Sequence, residues 1–258
     1  KSWKTDADRM ATGKKKEIVD TRFNAATRDG APLPMIPRSS DGQLLFLLNN
    51  ISKMKQDTPL GSRIVEVHNG SSLFTGDAGS GESNARRYMI ENDLVEAIIA
   101  LPEKMFYNTG IGTFIWVLSN RKEERRKGKI QLIDATAIKT PLRKNMGEKN
   151  CELSPAQRQE IVRIFMAFEE SEVSRIFPNS EFGYWKVSVQ QPLLDEQGNP
   201  VRDKKGRIQP DKAKADTEII PFRYEGGIEA FMDAEVRPYA PGAFVDPKGT
   251  KIGYELSF

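Results

Sequence analysis

Apolar residues along this chain fall into short blocks with two periods, and each period predicts a different kind of element. Residues 94–101 and 113–118 are apolar, β-branched runs, too short for globular helices and each closed by turn residues, so two buried strands are expected. Further strands are expected at 62–67 and 130–133, and FGYWKVSV, residues 182–189, alternates as a half-exposed strand should. Elsewhere the apolar spacing is three and four. Leu44, Leu47, Leu48, Ile51 and Met54 predict an amphipathic helix over 41–56 with Ser40 or Asp41 as its cap, and Ser83 would cap a short helix over 84–91. Over 154–170 the signal is fuller: Ser154 and Gln157 can form a capping box, Pro155 takes the first helical position, and Ile161, Ile164, Phe165 and Phe168 make one apolar stripe.

Strand, helix, strand and then a tightly connected further strand is the ending of a doubly wound α/β sheet whose last strand runs backwards. The polar stretches between these blocks complete the outline. Residues 1–38, broken by Gly13, Gly30, Pro32, Pro34 and Pro37, read as loop with short helical pieces, and 139–151 as a polar connection. Residues 192–220 change composition to charged, glycine- and proline-containing sequence, expected as a protruding hairpin or mobile insert, with a short helix to follow near 228–235. On this outline the chain divides into 1–135 and an extension, 136–258.

Two loops carry candidate chemistry. Between the strands at 94–101 and 113–118, Met105, Phe106 and Tyr107 stand beside Asn108, Thr109 and Gly110, large rings next to amide and hydroxyl groups at a strand's C-terminal end, where open α/β sheets bind ligands. The competing reading is a corner whose aromatics fill the core rim. The loop 69–82 contains Gly70, Gly76, Gly79 and Gly81 and leads into a helix, an arrangement that suits a phosphate cradle, a DNA-contacting loop or a plain surface loop. It is neither a Walker loop nor a Gly-x-Gly-x-x-Gly fingerprint. Arg86 and Arg87, just inside that helix, are compatible with a DNA backbone.

Composition narrows the setting. The chain has 258 residues, 38% hydrophobic and 29% charged, enough for a real core beneath a heavily charged surface. No apolar run approaches a membrane-spanning length, KSWKTDADRM lacks the apolar core of a signal peptide, and a lone cysteine, Cys151, suits a reducing cytoplasm as an incidental loop thiol. A lone histidine, His68, argues against a His-rich metal site and is expected as a hydrogen-bonded strand-end residue; no metal centre is expected. Net charge is only +3, but it is unevenly spread. Lys1, Lys4, Arg9, Lys14, Lys15 and Lys16 outnumber Asp6 and Asp8, and residues 121–129 hold six cations against Glu123 and Glu124. Such clusters suit phosphate contacts, or, for 121–129 equally, an ordinary solvated hairpin tip.

The stretch HNGSSLFTGDAGSGESNARRYMIENDLVEAIIALPEKMFYNTGIGTFIWVLSNRK resembles the second half of the catalytic domain in the modification subunit of type I restriction-modification systems, the adenine-N6 DNA methyltransferases. The resemblance implies the C-terminal half of a Rossmann-like, S-adenosylmethionine-dependent methyltransferase sheet, followed by a helical and hairpin extension. It implies transfer of a methyl group to an adenine flipped out of the duplex and held against aromatic faces. Phe106, with Tyr107 next to it, matches the aromatic that stacks on the base, and Asn108 and Thr109 would touch the base edge or fix the loop. Lys1, Lys4, Lys14, Lys15, Lys16, Arg86 and Arg87 become the candidates for the DNA backbone. The partners implied are double-stranded DNA, a specificity subunit, a restriction subunit and a second modification subunit. In this family an Asn/Asp-Pro-Pro-aromatic tetrapeptide precedes a segment like KSWKTDADRM, and the glycine-rich cofactor turn lies further upstream; neither is found in these residues, so catalytic and cofactor-binding residues are expected outside the chain and the chain alone is expected to be inactive. The rival reading is a non-catalytic DNA-binding or assembly module that grips phosphates and flips nothing.

Overall fold

The computed structural model describes residues 2–12 and 17–258, which form two compact units. The first runs through Asn179 and takes back Glu255–Phe258; the second is Ser180–Tyr254. The boundary between these compact units is at 179/180; the strand Ser174–Pro178 joins the first unit's sheet and a helix before it packs on that sheet.

That sheet has five strands: β1 Arg63–Asn69, β2 Val95–Leu101, β3 Thr113–Ser119, β4 Lys129–Asp134 and β5 Ser174–Pro178, in the spatial order β5-β4-β2-β3-β1. β4 and β2 are parallel; β3 runs antiparallel to both its neighbours, β2 and β1, and β5 antiparallel to β4. The α/β class and the reversed strand are thus as the sequence predicts. The pattern of burial follows position. All seven residues of β2, the central strand, are buried, whereas edge strand β1 leaves Val65 and Val67 exposed on one face. At roughly 1.5–3 kcal/mol for each fully buried large aliphatic side chain, the sheet is anchored at its centre.

Helix α1 (Gln43–Ile51) buries Leu44, Leu47, Leu48 and Ile51 and lies against β1. It is shorter than expected and begins after Gly42, with Asp41 accepting a hydrogen bond from the Gln43 N–H at 3.1 Å. Helix α2 (Gly81–Glu91) starts a turn earlier than expected, capped by Ser80 and not Ser83, and buries Ala85, Arg86, Met89 and Ile90. Helix α3 (Pro155–Ala167) carries the expected capping box and packs Ile161, Ile164 and Phe165 on Ala97, Ile99, Val117 and Ile133. Residues 139–151 are not a plain connection. They form a hairpin, Thr140–Met146 paired antiparallel with Lys149–Glu152.

The second unit is a three-stranded antiparallel sheet with β6 (Gly183–Gln190) between β7 (Asp216–Pro221) and β8 (Phe244–Tyr254). Its core joins Val187, Val189 and Ile220 to Met232 and Val236, the latter two from the helical turn Met232–Val236 that follows a short helix, Gly227–Phe231. Residues 192–210 fold into a short meander held by isolated bridges, but the insert expected over 192–220 ends earlier, because β7 within it pairs with β6 and buries Ile220. Among the described residues no helix is long and apolar enough to cross a membrane.

Candidate functional site

The strand directions bring three chain segments to one edge of the main sheet. Thr113, which opens β3, lies opposite Asn69, the last residue of β1, and opposite Leu101, the last residue of β2. The loop from Pro102 to Gly112 therefore rises from the C-terminal ends of the strands, the edge at which α/β sheets place ligands. On that loop Phe106, Tyr107 and Ile111 are exposed, Tyr107 with 60% of its surface open, so these rings are not core filler. Asn108 is exposed beside them and Thr109 half-buried. The hairpin Thr140–Glu152 lies against this loop, with the Tyr107 hydroxyl 3.9 Å from the Met146 sulfur.

At the end of β1 a polar cluster forms that periodicity does not reveal. The Gln43 side-chain N–H groups reach Asn69 Oδ1 at 2.9 Å and Asp41 Oδ2 at 2.8 Å, and the Ser71 hydroxyl donates to Asp41 at 3.0 Å. Burial by itself would raise the Asp41 carboxyl, but the hydrogen bonds from Gln43 and Ser71 outweigh it and hold the group below the ordinary carboxylate range. The signal available in the sequence was slight: polar residues at a helix start and at a strand end, which are common positions for caps. His68, next along β1, is buried, and neither ring nitrogen has a hydrogen-bond partner among the described residues, so the expected strand-end hydrogen bond is not made.

The glycine-rich connection 69–82 is occupied by its own chain. It contains a short helix, Ser71–Phe74, with Leu73 buried, and Ala78 is buried further along. A Cβ on Gly81 would stand 1.7 Å from the Ile36 carbonyl oxygen, and one on Gly76 would stand 2.5 Å from Ser80 Oγ. At these two positions the absence of a side chain permits close packing. A profile of the N-6 DNA Methylase family matches residues 7–187, most of the chain. The chain belongs to that family.

Relatives of this chain carry related names. It is 35% identical over 123 residues to the type I restriction enzyme MjaVII methylase subunit of Methanocaldococcus jannaschii, a match covering 47% of this chain and 19% of that subunit. It is 42% identical over 59 residues to the HindI methylase subunit of Haemophilus influenzae, covering 23% of this chain and 13% of that one. The chain thus spans about a fifth, or less, of the length of these relatives. Among solved structures, the type I restriction-modification methyltransferase subunit from Streptococcus thermophilus superposes on 63% of this chain and 30% of its own, with a TM-score of 0.49 and 23% identity.

The basic residues of the chain differ in what surrounds them. Lys1, Lys14, Lys15 and Lys16 lie outside the described residues, and Lys4 is exposed on a short helix, Lys4–Met10. Arg86 is completely buried, donating to the Ser72 carbonyl at 3.1 Å, and Arg87 is ion-paired with Glu91 at 2.9 Å. A guanidinium enclosed in this way cannot reach a phosphate, so Arg86 is a core residue and not a DNA contact. The cluster 121–129 sits at the opposite edge of the sheet, beyond the end of β3. There Lys122 is paired with Asp93 at 2.6 Å, its ammonium pushed below its ordinary value by burial, and Arg126 is enclosed by Phe165, Phe168 and Gln131. Neither expectation fits the whole segment, because Lys122 and Arg126 are buried while Arg121, Arg125, Lys127 and Lys129 stay exposed. A cavity of about 660 Å³ also opens near this far edge, lined by Asn92, Leu94 and Asn120 among others, away from the aromatic loop. Among the described residues no cluster of His, Cys, Asp and Glu could hold a metal ion.

Proposed function

We propose that this chain is the base-holding part of a DNA adenine-N6 methyltransferase, within the modification subunit of a type I restriction-modification system acting in the cytoplasm. The observation that carries the reading is the exposed pair Phe106 and Tyr107 on the ligand edge of the sheet, in a chain of the N-6 DNA Methylase family. The exocyclic amine of adenine is paired and stacked in the duplex, so modifying it requires the base to be turned out and given new faces to stack on. Phe106 supplies one such face, Tyr107 borders it, and Asn108 and Thr109 reach the base edge or hold the loop. S-adenosylmethionine is the methyl donor, and neither the family's glycine-rich cofactor turn nor its amine-binding tetrapeptide is found in these residues. By itself the chain is inactive; incorporation of labelled methyl groups into DNA by the isolated chain would overturn that. Double-stranded DNA is the substrate, and a specificity subunit, a restriction subunit and a second modification subunit are the partners.

The test is Phe106→Ala in the assembled enzyme. Stacking on one ring is worth roughly 1–3 kcal/mol, so kcat/KM for methylation should fall about tenfold to a hundredfold while the salt dependence of DNA binding stays the same. Unchanged methylation would favour a module that grips phosphates and flips nothing.

A further inference from the structure

The loop that carries Phe106 and Tyr107 contains two non-glycine residues in left-handed backbone, Lys104 at φ +55° and Asn108 at φ +54°. Such conformations persist only where surrounding structure over-determines them, and they concentrate at ligand clamps. A loop also has backbone carbonyls that must find donors. Here those donors come from outside the loop. The Cys151 thiol donates to the Glu103 carbonyl at 3.3 Å, the Asn150 N–H to the Lys104 carbonyl at 3.0 Å, and the Lys149 ammonium to the Met105 carbonyl at 2.7 Å. Three successive loop carbonyls are thus held by three successive residues of one hairpin strand, running in opposite directions.

Lys149 does more than close that series. Its ammonium also donates to the Cys151 carbonyl at 2.8 Å, which ties the hairpin strand to itself, and it lies 5.8 Å from the centre of the Tyr107 ring, within cation–π range. At the hairpin turn, a Cβ on Gly147 would sit 3.4 Å from Asn108 Oδ1, so the turn abuts the second left-handed residue as well. Cys151 is buried in this contact and is not an incidental loop thiol.

We propose that the hairpin Thr140–Glu152 is the template that sets the conformation of the aromatic loop, with Lys149 as the positioning residue that fixes the Met105–Tyr107 backbone for base stacking. This rests on the base-holding reading above. Lysine suits the place because one ammonium carries three donors and can serve two carbonyls and a ring face together. A methionine there keeps the aliphatic stem and loses every one of these interactions.

The experiment compares Lys149→Met, Lys149→Arg and Phe106→Ala in the assembled methyltransferase, using duplex DNA with 2-aminopurine at the target position and reading its fluorescence rise on base flipping. Hydrogen exchange at the amides of residues 104–110 is followed in parallel. We expect Lys149→Met to lose the fluorescence rise, as Phe106→Ala does, and to lower kcat on the order of tenfold to a hundredfold with KM for DNA unchanged. Loop amides should exchange faster while those of β2 stay protected, and Lys149→Arg should restore the signal. A full fluorescence rise in Lys149→Met where Phe106→Ala has lost it would overturn the positioning role alone. If Phe106→Ala keeps the rise too, the base-holding reading fails and the proposal fails with it.

Discussion

Gly81 is tied to its identity by a backbone neighbour, the Ile36 carbonyl, which a Cβ would approach to 1.7 Å. Backbone cannot step aside as a side-chain tip can, so Gly81→Ala should destabilise the fold by about 1–3 kcal/mol or more, read as a lower midpoint in urea; an unchanged midpoint would mean the approach is not made. Asp41 makes a prediction in pH. Its folded carboxyl titrates below the ordinary value of roughly 3.9, so its contribution is present above that pH and is lost as pH falls towards the folded value. Thermal unfolding of Asp41→Asn and the parent chain should accordingly differ most near neutrality and converge below about pH 4. At this scale the sequence placed Phe106 and Tyr107 on a loop at the strands' C-terminal ends, and both rings are exposed there. It was not readable at Arg86, because a pattern of charges does not say which cation the packing of α2 will enclose.

Helix α3 shows how far local chemistry can determine an element. The Ser154 hydroxyl accepts from the Gln157 N–H at 3.2 Å and the Gln157 side chain accepts from the Ser154 N–H at 2.9 Å, as the capping-box spacing predicts. Ser154→Ala should lower stability by about 1 kcal/mol (range 0.5–2) with Asp or Thr as rescuing replacements, measurable as a shift in chemical unfolding; a neutral substitution would show that packing alone holds the helix. Helix α2 was legible except for its start, since both Ser80 and Ser83 satisfy a cap rule and the contact of Gly81 with Ile36 favours the earlier one. The hairpin Thr140–Glu152 was not legible. TPLRKNMGEKNCE has no alternation of apolar residues, because one of its faces is solvent and the other is held by hydrogen bonds to a loop whose position only the folded sheet determines.

On the scale of the whole chain, the two ends of the sheet differ in what they can touch. The aromatic loop is at one end, and the cations of 121–129 are at the other, where Arg125 is spent on Glu123 and on the last carbonyls of α3. Replacing Arg125 and Lys127 by alanine should leave the slope of log affinity for DNA against log salt unchanged, whereas each lost phosphate contact would reduce it by about 0.9. The reversal of β3 was legible from its connection to β2, but its place between β2 and β1 was not, nor was β5, which joins the sheet from far along the chain through pairing that no local pattern records. That order also sets a timetable. β3 lies between β2 and β1, so β1, made first, has no hydrogen-bonded neighbour in the sheet until synthesis has passed Ser119. Through that interval Val65 and Val67 ride on an unpaired strand, and the earliest strand of the sheet becomes the one most dependent on protection from association before its partner emerges.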